Sequence, residues 1–255
     1  MKLSSASAAG NPECAKRFPN IVGRLASAAR ALDAQPIPRE GGRITGRTFL
    51  SALWAVLVRT TTLPFVPLII DQAASGNRTE TRQFVEAFTG PAGASFGDYS
   101  HGQYHAVTCF ESLAGRSEPS IREAIRRYPY LVGGDELADA RDRACDAWQP
   151  ERAPVETFTP VRSKIPVLLM AGEFDPATPP EDAFQAARFL SSSTIVMVSG
   201  ASHAPMNADE CTRGIALAFL ATPSARPDLG CLQKRPLFRF KTDGLEAFLD
   251  AQTKR

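Results

Sequence analysis

The spacing of apolar positions along the chain changes near residue 155. Before that point it is helical. Ile21, Val22, Leu25, Ala29 and Leu32 share one face of a helix predicted over residues 19–34, with Pro19 in the first turn and Pro36 as the stop. Two more helices are predicted over Thr48–Val58 and Pro64–Ala74, the second ended by Ser75-Gly76-Asn77. A fourth spans Glu80–Phe88, and residues 89–102, TGPAGASFGDYSHG, have the composition of a loop. Residues 104–111, YHAVTCFE, read as a short strand or extended segment, and helical spacing returns over Ser120–Tyr128 and Asp135–Trp148.

After residue 155 the runs shorten and turn to Val and Ile. Ile165–Ala171 and Thr194–Val198 predict two buried strands. Between them lies a helix over Pro180–Leu190, whose start, Thr178-Pro179-Pro180-Glu181, fits a capping box with prolines in the first turn. This is a β-α-β unit, for which a parallel pair and a right-handed crossover are expected. A last helix is predicted over Ala208–Leu220. The fold class is α/β. Parallel sheets are normally covered on both faces and have several strands, so two strands alone read as part of a larger sheet with edges open to another chain.

Composition narrows the classes. The chain has 255 residues, 44% of them hydrophobic, enough for a sizeable core, and a net charge of +2 carries no bias toward nucleic acid. No P-loop or dinucleotide glycine pattern is present. The first 18 residues lack the continuous apolar stretch of a secretory signal. Phe49–Ile70 has the length of a membrane span, but Arg59, Pro64 and Pro67 divide it into two buried helices, so no span is expected. Five cysteines, at positions 14, 109, 145, 211 and 231, show no CxxC spacing. The histidines, at 101, 105 and 203, are not grouped with them, so no metal and no cofactor is expected. His101 and His105 fall where a loop leads into the extended segment. Residues 233–255, with Lys234, Arg235, Arg239 and Lys241, read as a solvated basic tail.

The candidate chemistry sits just past the two strands. Functional groups of open α/β sheets gather at the carboxyl ends of strands, and Asp175 and His203 both lie there. A carboxylate beside a histidine fixes its tautomer and stabilises the imidazolium formed when it takes a proton. A nucleophile is harder to place. Gly93–Gly97, GASFG, fits G-x-S-x-G with Ser95. A nucleophile elbow needs a buried strand before the serine and a helix after it, and neither flank qualifies. Ser95 is therefore read as part of a glycine-rich loop.

The motif Gly172-Glu-x-Asp-Pro-x-Thr-Pro-Pro180, the loop Ser199-Gly-x-x-His203, and the stretches NPECAKRFPNIVGRLASAARAL, AVTCFES and CTRGIALAFLATPSARPDLGCL resemble the α/β-hydrolase family of tripeptidyl and prolyl aminopeptidases, with its TAP-like C-terminal domain. The likeness runs over nearly the whole chain. It implies a partial α/β-hydrolase fold: a helical lid over residues 1–155, then the last parallel strands and helices of the sheet over 156–232. It makes Asp175 the triad acid and His203 the triad base. It makes Glu111, in VTCFE, a candidate acidic lid residue for a substrate's free α-amine, beside the reading of an exposed glutamate. It implies a Cys109–Cys145 disulfide; Cys211 and Cys231, which bracket the last helix, could pair too. Cys14 is left over, and reduced, buried thiols are the alternative for all of them. Such bridges suit an exported parent protein.

The expected function is hydrolysis of a peptide, or a small amide or ester, near a free N-terminus. The family places its first strands, oxyanion loop and nucleophile elbow before the lid, and none is recognised here. The chain is therefore expected to have little acyl-transfer activity alone. It could be a half-enzyme completed by an upstream hydrolase half, a non-catalytic peptide-binding remnant, or a self-sufficient enzyme using Ser95.

Overall fold

A computed structural model describes residues 12–89, 100–112, 123, 126–128, 143–149 and 151–253. Ser95, most of the helix predicted over Ser120–Tyr128, and residues 135–142 of that predicted over Asp135–Trp148 lie outside the described residues; residues 143–148 are helical.

The first part is a packed helical unit. Helices α1 (Pro12–Arg17) and α2 (Ile21–Ala34) lead into a hairpin, β1 (Ile37–Arg39) and β2 (Gly42–Ile44), followed by α3 (Gly46–Leu57), α4 (Val66–Ala74) and α5 (Arg78–Thr89). Thr45 caps α3 in a reciprocal arrangement with Thr48, which satisfies orphan amides of the first turn. Leu25, Phe49, Leu53, Val56, Ile70 and Phe84 are buried at the centre of the unit. The Phe49 and Phe84 rings meet edge to face, 5.7 Å between centroids. The long apolar stretch over Phe49–Ile70 is divided as its breakers dictate. Helix α3 ends at Leu57, a 3-10 turn occupies Leu63–Phe65, and α4 begins at Val66. No helix among the described residues is long and apolar enough to cross a membrane. The hairpin escaped the sequence pattern because its strands have three residues each, too few to show a period.

Residues 104–111 are not a strand. They lie in helix α6 (His101–Ser112), whose first turn is capped by Ser100, its hydroxyl accepting from Gln103 N–H at 3.3 Å. Val107 and Thr108 gave a local extended signal, but tertiary context overrides it. Cys109 is fully buried and covalently joined to Cys145, and Phe110 accepts from Ala153 N–H at 2.9 Å. His101 and His105 are thus one helical turn apart rather than on a loop. Among the described residues no group of three or more His, Cys, Asp or Glu could hold a metal ion.

The second part is the β-α-β unit. Strands β3 (Val167–Gly172) and β4 (Ser193–Val198) pair in parallel, from Val167 opposite Ser193 to Gly172 opposite Val198, with α7 (Pro180–Ala187) between them and α8 (Glu210–Ala221) after them. Val196, Val198, Ala201 and Ile215 form a small core of their own. Val167, Leu168, Leu169 and Met170 are only half-buried. Among the described residues no third strand pairs with either one.

Residues 233–253 are not a solvated tail. Phe240, Leu245, Phe248 and Leu249 are buried in the helical core, the last three in helix α9 (Leu245–Thr253). The Phe248 ring stacks on Phe65 at 4.0 Å, and Lys241 N–H donates to the Pro64 carbonyl at 2.8 Å. The basic residues hid an apolar set at spacing 3–4, Leu245, Phe248 and Leu249, which is a helix face.

Candidate acid–histidine site

Asp175 follows β3 in a tight turn, its N–H donating to the Gly172 carbonyl at 3.2 Å. Its Oδ1 accepts from the N–H groups of Ala177 at 2.8 Å and Thr178 at 2.9 Å, and its Oδ2 accepts from the Thr178 hydroxyl at 2.7 Å. His203 Nδ1 lies 3.0 Å from Oδ2 and 3.2 Å from Oδ1. The Asp175 side chain is 2% exposed and that of His203 44%. Burial alone would raise the Asp175 carboxyl. The bonds from Thr178, His203 and Ala177 outweigh it and hold the group below the ordinary carboxylate value.

An ionised carboxylate only accepts, so the proton of the imidazole sits on Nδ1 and the lone pair on Nε2. The Thr178 hydroxyl, whose proton goes to Asp175, turns its oxygen to Nδ1 at 3.2 Å. Thr178 therefore does not cap α7, as its place before two prolines predicted. That helix starts at Pro180 with no side-chain cap, and the hydroxyl serves the carboxylate instead.

The two loops that carry these residues are packed against each other. A Cβ on Gly172 would collide with the Ser202 carbonyl oxygen, so glycine is what lets the histidine loop cross the end of β3. Phe174 N–H donates to the Ala201 carbonyl at 2.9 Å. Glu173 accepts, through one oxygen, from the Ser199 hydroxyl at 2.7 Å and Gly200 N–H at 2.8 Å. Gly200 has φ +70°, and a Cβ there would also meet Phe238. Phe238 and Phe240 in turn pack on Phe174, at 4.9 and 5.8 Å between ring centroids. Arg235 donates to Asp209 at 2.7 Å and to the Ser199 carbonyl. Burial would raise the Asp209 carboxyl, but Thr212 and Arg235 hold it low. The C-terminal segment thus braces both site loops. Sequence reasoning gave Glu173, Thr178 and Arg235 no part in the site; the first two stood inside the quoted motif, whereas Arg235 carried no signal beyond its charge.

A cavity of about 410 Å³ opens beside Asp175, lined by Leu57 and Leu63 of the helical unit, by Phe174, Pro176, Pro179 and Pro180, and by the carboxylates Glu173, Glu181 and Asp182. Glu111 is exposed on α6 and does not line it. Cys109–Cys145 and Cys211–Cys231 are disulfides, with Cα atoms 5.2 and 5.8 Å apart. Cys14 is buried in the helical core, which pushes its thiol up. Among the described residues nothing is bonded to His203 Nε2.

Residues 117–231 match the model of a family described as TAP-like protein, the C-terminal region of α/β-hydrolases. The matched stretch includes Asp175 and His203. No curated protein and no solved structure matches the chain.

Proposed function

We propose, from the TAP-like match over residues 117–231, that this chain supplies the acid and base of a serine hydrolase acting on a peptide, or a small amide or ester, near a free N-terminus. The single observation that carries the reading is the His203–Asp175 bond at the carboxyl ends of two parallel strands. In the reaction the serine Oγ attacks the substrate carbonyl and its proton passes to His203 Nε2. Asp175 stabilises the imidazolium that results. The imidazolium then gives the proton to the leaving amine, and water repeats the sequence to release the acyl group. The half-covered apolar side chains of β3 and sheet edges that no strand among the described residues pairs support a serine that arrives on a further strand, so the catalytic unit is this chain joined to another hydrolase segment. In this reading the helical residues before 155 are the lid. The two disulfides favour an oxidising compartment.

The test is labelling with a fluorophosphonate probe, followed by peptide mass spectrometry, on the chain alone and on the complex it forms when purified from its source cells. The expected result is no label on the chain alone. A serine of a co-purified polypeptide labels instead, and that label is lost in His203→Ala. Label on Ser95 of the isolated chain that depends on His203 would establish a self-sufficient hydrolase. The cavity beside Asp175 favours a second reading, a peptide-binding remnant. Peptide binding with no labelled serine in any purified form would establish that one.

A further inference from the structure

The residue before His203 is held by a distant part of the chain. Ser202 is fully buried. Its N–H donates to Thr60 Oγ1 at 2.9 Å and its hydroxyl donates to the Leu57 carbonyl. Leu57 is the last residue of α3, and carbonyls in the last turn of a helix have no partner within it. The neighbouring Val56 carbonyl is taken up locally, by Arg59 N–H at 3.2 Å and the Thr62 hydroxyl at 2.8 Å. The Leu57 carbonyl is completed from 145 positions away.

We propose that Ser202 is a positioning residue for His203, and that the C-terminus of α3, through Thr60 and the Leu57 carbonyl, clamps the histidine loop so that Nδ1 faces Asp175. The bonds from Glu173, Phe174 and Arg235 hold this loop only as far as Ala201. Gly200 and Ala204, on either side of His203, both have left-handed backbone, with φ +70° and +55°. Among the described residues the His203 side chain is bonded only to Asp175 and Thr178. Two bonds on one buried residue define the backbone just before it. The same Leu57 lines the cavity beside Asp175, so an occupant of that cavity would press on the residue whose carbonyl holds the loop. This inference rests on the reading of His203 as the base.

The experiment reads the His203 Nδ1 proton directly, by 15N-histidine NMR on the full chain. The chain has 3 histidines, so His203→Ala assigns the signal. Ser202→Ala and Thr60→Val are expected to speed solvent exchange of that proton about tenfold, as loss of one buried hydrogen bond would. Thr60→Ser, which keeps the acceptor, should retain the wild-type rate. If Ser202→Ala does not fold, Thr60→Val at its half-buried position gives the answer. A lowered Tm with unchanged exchange in the variants would make the contact merely structural and overturn the proposal. Changed exchange with no serine labelled in any complex would keep the clamp and remove the hydrolase reading; the converse pair of results would do the reverse.

Discussion

Thr178 shows most clearly how much of the site depends on single atoms. Its hydroxyl donates to Asp175 and faces His203 Nδ1, and its N–H also donates to Asp175. Thr178→Val is nearly isosteric and removes only the hydroxyl. It should cost about 1–2 kcal/mol at neutral pH, read by urea unfolding, because a buried carboxylate loses a donor. The pH dependence has a definite sign. The Asp175 carboxyl is held low in the folded state, so its contribution is complete above the ordinary value of about 3.9 and is lost as pH falls through the folded value. Thr178→Val should flatten that acid limb; an unchanged limb would show that the hydroxyl does not hold the carboxyl low. Gly172→Ala is a harsher change. Its Cβ meets backbone rather than a movable side chain, so the two loops must separate. The expected signature is loss of the His203 Nδ1 proton signal together with about 2–4 kcal/mol of stability.

At the scale of elements, the loop between β4 and α8 is ordered from behind. Asp209 caps α8 through Thr212 and accepts from Arg235, and the Cys211–Cys231 disulfide ties that helix to the turn from which Arg235 follows. The disulfide closes a loop with a sequence separation of 20. By chain entropy, replacing both cysteines with alanine should cost about 3 kcal/mol, read in denaturant at neutral pH. A cost near zero would mean that the Arg235–Asp209 contact and the local core already fix the helix.

At the scale of the whole molecule, the C-terminal segment joins the two parts. Phe238 and Phe240 cover the acid loop, and Phe248 enters the helical core beside Phe65 and Phe88. Phe248→Ala should therefore destabilise the chain by about 3 kcal/mol, the cost of emptying a buried aromatic site. A solvated tail would instead give a change within about 0.5 kcal/mol. The β-α-β unit stands differently. Its strands leave apolar side chains half-covered, and Val161, Ile165 and Leu237 near it are largely exposed. Such a surface on a two-stranded parallel sheet is what an added strand and its helices would bury.

Helices α2 to α5, the β-α-β order and the pairing of Asp175 with His203 were legible in the sequence. Each depends on local periodicity, or on a motif whose residues lie at the ends of neighbouring strands, where the register itself brings them together. The sequence was silent or misleading where an outcome depends on contacts between distant segments. Residues 104–111 are helical because Ser100 caps them and a distant cysteine holds their buried face, against the local preference of Val107 and Thr108. The tail folds inward because Phe65 and Phe88 leave space for Phe248, which no charge count reveals. Ser202 looks like any loop serine until α3 presents it with an unpartnered carbonyl. Periodicity and motif chemistry thus determined the elements and brought Asp175 and His203 forward as a pair. Only the tertiary structure decided which backbone groups those elements leave unsatisfied, and so which side chains hold the histidine in place.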